Sequence, residues 1–130
     1  MRIFLDDERD PPDDEPDWII VRSVAALMEL VSSSSDTIVE ISFDNDLKTE
    51  LEGRHALAYI VGDTLRQPVH LPRLERVTIH SANIVAAEAM IAMVYAAIRH
   101  GQIPPIEVRR RSALEHQYPM HPVQKPDGRH

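Results

Sequence analysis

Residues 2–22 read RIFLDDERDPPDDEPDWIIVR, in which two apolar segments flank an acidic loop that contains three prolines. The segments at residues 2–6 and 18–22 are short and rich in β-branched or aromatic side chains, which is typical of buried strands. A crossover helix between parallel strands needs a dozen residues or more. We therefore predict that residues 10–17 form an extended loop and that a first helix is missing.

The rest of the chain alternates helices with strands. Ser23 can cap a helix whose apolar positions recur at helical spacing, and Gly101 suits a helix C-terminus. Further helices are predicted over residues 55–66 and 82–100, and further strands over residues 38–44, 74–80 and 103–109. This pattern predicts a flavodoxin- or receiver-like three-layer α/β fold. Its sheet has five mainly parallel strands in the order 2-1-3-4-5, with helices on both faces.

Composition and charge limit the domain organisation and the function. The 130 residues and the 43% hydrophobic content suit one domain, which we place at residues 1–111. Residues 112–130 turn polar and are expected to form an extended or disordered tail. A net charge of −7 argues against generic binding to the nucleic-acid backbone. The absence of cysteine excludes disulfides and thiol chemistry, and no segment approaches a membrane span, so we expect a cytoplasmic protein.

Polar clusters follow the predicted strands, at the point where each strand ends. Because ligands of open α/β sheets bind beyond the carboxyl ends of the strands, we expect these clusters to converge. They are Asp6, Asp7, Glu8 and Arg9 after the first strand, Asp44, Asn45 and Asp46 after the third, His80, Ser81 and Asn83 after the fourth, and Arg109 with its two following arginines after the fifth.

Converged carboxylates repel one another, and a divalent cation is the usual resolution. Hard oxygen ligands suit Mg²⁺ or Mn²⁺, and the predicted metal ligands are Asp6, Asp7, Asp44 and Asp46. Free N–H groups at a helix start bind anions, so the predicted phosphate-binding residues are Ser81 and Asn83, together with Arg9 and Arg109. Histidine ordinarily titrates near neutrality, so His80 is predicted to act as general acid or base.

These residues also have ordinary interpretations. Ser81 can be a helix cap, and His80 can be a partly buried histidine. The arginine run can neutralise a surface. Asp46 faces either the crevice or the solvent, depending on one residue of strand register.

The acid pair, Asp44 and the Ser-Ala at residues 81–82 resemble the response-regulator receiver domain. In that family the acid pair binds Mg²⁺, the aspartate of the third strand accepts a phosphoryl group, and the hydroxyl contacts it. The resemblance implies these roles for Asp6 and Asp7, for Asp44 and for Ser81. The sequence departs from the family in the missing first helix and in two further places. IEVRRRSALE lacks the lysine that ends the fifth strand, and FDNDLKTELEG lacks the proline after the acceptor.

A closer resemblance is to the cyclic-phosphate processing receiver domain, through FLDDERDPP, FDNDL and IHSAN. Lys48 stands where that family usually has glycine. The resemblance implies action on cyclic phosphates, such as the 2′,3′-cyclic ends of RNA or nucleotides. We therefore predict a metal-dependent phosphoesterase that acts on a phosphate-containing small molecule or an RNA or nucleotide end, with Asp44 and His80 as catalytic residues. The alternatives are a receiver or pseudo-receiver with Asp44 as phospho-acceptor equivalent and a protein partner, and a non-catalytic nucleotide binder.

Overall fold

The computed structural model describes residues 1–15, 17–63, 65–111 and 121–122. Their elements are β1 (Arg2–Leu5), β2 (Trp18–Val21), α1 (Val24–Ser33), β3 (Glu40–Phe43), α2 (Gly53–Val61), β4 (Arg76–Ile79), α3 (Ile84–Arg99), β5 (Glu107–Arg110) and β6 (His121–Pro122). The sheet has the order β2-β1-β3-β4-β5-β6, in which the first five strands are parallel and β6 is antiparallel to β5. The predicted five-stranded parallel order is confirmed, and the described residues between β1 and β2 contain no helix.

The helix ends follow local backbone chemistry. The Ser23 side chain accepts a hydrogen bond from a backbone N–H of α1, and Gly101 has a φ of 72° just after α3, as predicted for both caps. The second helix ends at Val61, more than a turn earlier than predicted. Gly62 stops it with a φ of 73°, a conformation that favours glycine. Leu65, which lies within the range predicted for this helix, is outside it and 94% exposed.

All three described helices pack on one face of the sheet. The connections from β2 to β3, from β3 to β4 and from β4 to β5 advance in the same direction, and right-handed crossovers then place each helix on the same side. One apolar cluster joins buried residues of the three helices to strand residues that include Ile3, Phe43 and Ile79. Helices were expected on both faces. The missing first helix would have crossed in the opposite direction and covered the second face.

The second face carries a row of alternating charges, which we call the charged row: Arg2, Glu40, Arg76 and Glu107. These residues are direct partners across β1, β3, β4 and β5. One carboxylate oxygen of Glu40 accepts hydrogen bonds from Arg2 Nε and Arg76 Nη1, both at 3.1 Å. Because a one-residue slip would move these side chains to the apolar face, the charged row helps to fix the strand register.

The loop after β1 lies against this second face and takes the place of the missing helix. The Glu15 carboxylate contacts Arg2 at 3.1 Å and Arg111 at 2.6 Å. Of the predicted tail, residues 112–120 and 123–130 lie outside the described residues, so its extended or disordered state stays a prediction. In the described part of the chain, no helix has the length and apolar character needed to cross a membrane.

Candidate metal centre

Asp6, Asp7 and Asp44 meet where β1 and β3 end. The backbone N–H of Asp44 donates to the Leu5 carbonyl at 2.9 Å, which aligns the two strand ends. One oxygen from each of the three carboxylates lies within 4.8 Å of the other two. Two oxygens bound to the same divalent cation at 2.0–2.6 Å are at most about 5 Å apart, so this spacing fits one ion. The role of the three residues as metal ligands stays a prediction.

Three hydrogen bonds hold the Asp6 carboxylate in place. Its Oδ1 accepts from the backbone N–H groups of Glu8 at 2.9 Å and Arg9 at 2.8 Å, and its Oδ2 contacts His80 Nε2 at 3.1 Å. Burial by itself would raise the pKa of Asp6, but the bonds from His80 and from the two N–H groups lower it overall. Asp6 is therefore ionised and fixed in orientation at neutral pH.

The pKa of Asp44 is shifted in the opposite direction to that of Asp6. Burial raises its pKa from 3.8 to about 6, and the charge of Asp6 contributes in the same direction. Asp44 is 3% exposed. Two carboxylates that are buried together need positive charge nearby, and a divalent ion with hard oxygen ligands supplies it. The donor set and its electrostatics therefore fit Mg²⁺ or Mn²⁺.

The loop after β3 depends on a glycine that the sequence analysis did not single out. Gly53 begins α2, and its N–H donates to the Asn45 carbonyl at 3.0 Å. A Cβ atom at residue 53 would lie 1.7 Å from the Asp44 carbonyl oxygen. Only glycine permits this approach, so the position of Asp44 depends on Gly53. A glycine at a predicted loop–helix junction was the available sequence signal.

His80 lies beneath Asp6, inside the protein. The side chain is 1% exposed and stacks on Phe4 with ring centroids 4.2 Å apart. Nε2 donates to the ionised Asp6, and Nδ1 accepts from the Ser42 hydroxyl at 2.6 Å. Burial lowers the pKa of His80, which agrees with this neutral form. Both ring nitrogens are occupied, so the predicted role as general acid or base has no geometric support, and we assign His80 to the positioning of Asp6.

The positioning role of His80 is testable with two substitutions. We expect His80→Leu to weaken Mn²⁺ binding by about 10- to 100-fold, since partners of metal ligands typically contribute this much. His80→Gln should retain most of the affinity, because its amide N–H can occupy the place of Nε2. Isothermal titration with Mn²⁺ measures both variants. If both variants bind Mn²⁺ like the wild type but lose turnover at saturating metal, His80 is the general acid and our assignment is incorrect.

A pocket of about 270 Å³ is lined by two of the three carboxylates, Asp7 and Asp44, whereas Asp6 is fully buried and does not line it. Six charged residues and two apolar residues line the pocket: Asp7, Glu8, Arg9, Asp44, Asp46 and Lys48, with Leu47 and Ala82. Asp46 is exposed and accepts from Asn45 Nδ2 at 3.0 Å, outside the group of three carboxylates. A larger apolar groove of about 690 Å³ lies between α1 and α2. We place the site at the smaller pocket, because carboxylates and cations meet there.

Two cationic residues line this pocket. Arg9 was predicted, and its Nη1 lies 3.9 Å from Asp6 Oδ2. Lys48 was noted only as a departure from the family pattern. Its backbone N–H donates to Asp7 Oδ2 at 3.0 Å, and its ammonium group forms an ion pair with Glu8. The position of Lys48 directly after the Asp-x-Asp-Leu motif was the sequence signal for its presence at the site.

The other predicted phosphate-binding residues do not line the pocket. Ser81 is fully buried, and its hydroxyl oxygen accepts from the Asn83 N–H at 3.1 Å. The Asn83 side chain caps α3. Arg109 is paired with Glu107 at 2.7 Å, whereas Arg110 donates to the Ser81 carbonyl at 3.1 Å. Ser81 and Asn83 therefore stabilise the start of α3, and Arg110 is the residue of the arginine run that contacts Ser81.

The fold and the site define a receiver-like α/β domain with an acidic cluster at the carboxyl edge of its parallel sheet. A sequence model of the family described as the cyclic-phosphate processing receiver domain matches residues 1–96. The match spans most of the chain, so the chain belongs to this family, as its three motifs predicted. No curated protein and no solved structure matches the chain significantly.

Proposed function

We propose that this domain holds Mg²⁺ or Mn²⁺ through Asp7 and Asp44 and hydrolyses a phosphate ester, with cyclic phosphates of nucleotides or RNA ends as the substrate class. The observation that carries the proposal is the spacing of three carboxylates within 4.8 Å of one another, two of which, Asp7 and Asp44, line a pocket that also contains cations. Membership of a cyclic-phosphate processing family supports the choice of substrate class.

The residues in and around the pocket have separate proposed roles. Asp6 stays ionised and keeps its orientation through His80 and the backbone, which makes it the supporting carboxylate beside Asp7 and Asp44. A bound divalent cation supplies Lewis-acid polarisation of the phosphoryl group and an activated water. Arg9 binds phosphoryl oxygens from the side of the pocket. Asp46, exposed on the same pocket, is the carboxylate available to accept a proton from the attacking water.

The proposal is tested by incubating the purified protein with Mn²⁺ or Mg²⁺ and 2′,3′-cyclic nucleotides. We expect metal-dependent ring opening, in which one water is added and one P–O ester bond breaks. Asp44→Asn should be inactive, because the variant loses an ionised ligand. Asp14→Asn, which removes an exposed acid of the loop before β2, is the matched control and should remain active. Turnover without metal, or turnover retained by Asp44→Asn, would contradict the proposal, and tight binding of unchanged nucleotide would indicate a non-catalytic binder.

A receiver-type signalling module is the second candidate. It is favoured by the position of Asp44 at the end of β3, beside the acid pair and on the wall of an open pocket. Acetyl phosphate would then give a hydroxylamine-labile adduct on Asp44, and the phosphorylated form would bind a protein partner. The Ser81 hydroxyl, which is buried and occupied by the Asn83 N–H, is less suited to contact such a phosphoryl group.

A further inference from the structure

We propose that Lys48 is a second cation, beside Arg9, that binds the phosphoryl group in this chain, and that Glu8 holds its ammonium group until an anion displaces it. The inference rests on the proposed function, because it concerns the ligand of the same pocket. It assigns a substrate-binding role to a residue at which this chain departs from the family pattern.

The contacts of Lys48 fix its backbone, whereas its side chain is exposed. The backbone N–H donates to Asp7 Oδ2 at 3.0 Å, which places the residue directly beside a predicted metal ligand. The side chain is 76% exposed, and its Glu8 partner is also exposed. Exposed ion pairs are weak and cost side-chain entropy. An incoming anion with two negative charges can therefore take the ammonium group from Glu8.

The charges of the pocket show why a second cation is needed. Four carboxylates line it, against the two cations Arg9 and Lys48. A divalent ion and Arg9 together offset three of the four negative charges, so without Lys48 the pocket would stay negative and would repel a phosphoryl group. Arg9 Nη1 lies 3.9 Å from Oδ2 of the buried Asp6, so part of the Arg9 charge is already offset by that carboxylate. Lys48 carries its charge on a long stem and can follow the ligand.

The three arginines in and directly after β5 are engaged elsewhere in the described structure. Arg109 pairs with Glu107, and Arg110 donates to the Ser81 carbonyl. Arg111 is buried and pairs with a loop carboxylate. None of the three lines the pocket that holds the acids. Lys48 therefore replaces the contribution that a basic residue at the end of β5 could have made.

The test compares inorganic phosphate binding with Mn²⁺ binding. Phosphate is titrated into Mn²⁺-saturated protein, and Mn²⁺ is titrated separately into the metal-free protein. We expect Lys48→Met to weaken phosphate binding by about tenfold or more, the typical effect of losing a charge-assisted hydrogen bond. Mn²⁺ affinity should stay the same or rise, because a nearby positive charge is removed. Lys48→Arg should bind phosphate within about threefold of the wild type.

Glu8→Gln supplies an independent arm, because it removes the competitor for the ammonium group. Phosphate affinity should rise in this variant, and most of the rise should be lost when Glu8→Gln is combined with Lys48→Met, which leaves only the smaller effect of removing one negative charge from the pocket. Equal phosphate affinity of Lys48→Met and the wild type would overturn the inference and leave the proposed function intact. A parallel loss of Mn²⁺ and phosphate affinity in Lys48→Met would also overturn it. Failure of the Mn²⁺-loaded wild type to bind phosphate would overturn the proposed function itself.

Discussion

Asp44→Asn is expected to weaken divalent-cation binding by about 100-fold or more and to stabilise the metal-free protein at neutral pH. The first effect follows from the loss of an ionised ligand. The second follows from the pKa of Asp44, which burial and the charge of Asp6 raise from 3.8 to about 6. The ionised carboxylate is therefore less favourable in the folded than in the unfolded protein, by roughly 3 kcal/mol at most. Asparagine has the same shape and no charge.

The stabilisation by Asp44→Asn should depend on pH in a defined direction. A pKa that is higher in the folded state means that folding takes up a proton between about pH 4 and pH 6. The contribution of Asp44 to stability is thus fully present below pH 4 and is lost as the pH rises through 6. The stability difference between the variant and the wild type should grow from near zero at pH 4 to about 2–3 kcal/mol at pH 8.

Urea unfolding at a series of pH values measures this difference, with Asp14→Asn as the control for losing an exposed acid. Added Mn²⁺ should reverse the order, because a bound ion stabilises only the protein that binds it. If the variant is no more stable than the wild type at pH 8, burial does not destabilise the ionised Asp44. If the variant keeps its Mn²⁺ affinity, Asp44 is not a metal ligand.

Glu40→Ala is expected to reduce the free energy of unfolding by about 3 kcal/mol. Glu40 is 2% exposed and lies in the middle of the charged row, where it accepts from both Arg2 and Arg76. Removing it leaves Arg2 on β1 and Arg76 on β4, one on each side of β3, without the carboxylate between them. For a domain with a total stability of about 5–15 kcal/mol, this is a large fraction.

The matched control is Glu107→Ala, at the edge of the same row. The side chain of Glu107 is more exposed, and ion pairs of this kind typically contribute less than about 1 kcal/mol. Glu40→Gln should have an intermediate effect, because it keeps the shape and some hydrogen bonds of Glu40. Urea denaturation of the three variants checks the order. Equal effects of Glu40→Ala and Glu107→Ala would contradict the role of Glu40 as the central residue of the row.

The convergence of the acids could be predicted because it follows from chain geometry. Asp6, Asp7 and Asp44 each come directly after a short apolar segment, and parallel strands end at the same edge of a sheet. The order of the strands and the missing helix were predictable for a similar reason, since the loop before Trp18 is too short for a crossover. The end of α2 was not predicted, because the apolar spacing continues past Gly62 and only its backbone conformation ends the helix.

The roles of individual polar side chains could not be predicted from the sequence. His80 and Ser81 are adjacent, and each could either reach a ligand or satisfy the protein interior. In the structure, His80 contacts the Asp6 carboxylate, and the Ser81 hydroxyl accepts a hydrogen bond from the Asn83 N–H at the start of α3. Likewise, Arg109 and Arg110 are consecutive in β5, where successive side chains point to opposite faces, and they bind different partners. Sequence spacing gives the strand ends but not these orientations.

The central claim is that Asp7 and Asp44 bind one divalent ion at the carboxyl edge of the sheet. A crystal soaked with Mn²⁺ and measured at the manganese absorption edge tests it most directly. We expect one anomalous peak in the pocket, within bonding distance of an oxygen of Asp7 and an oxygen of Asp44. A pocket without a peak, in a crystal that shows Mn²⁺ at other positions, would contradict it.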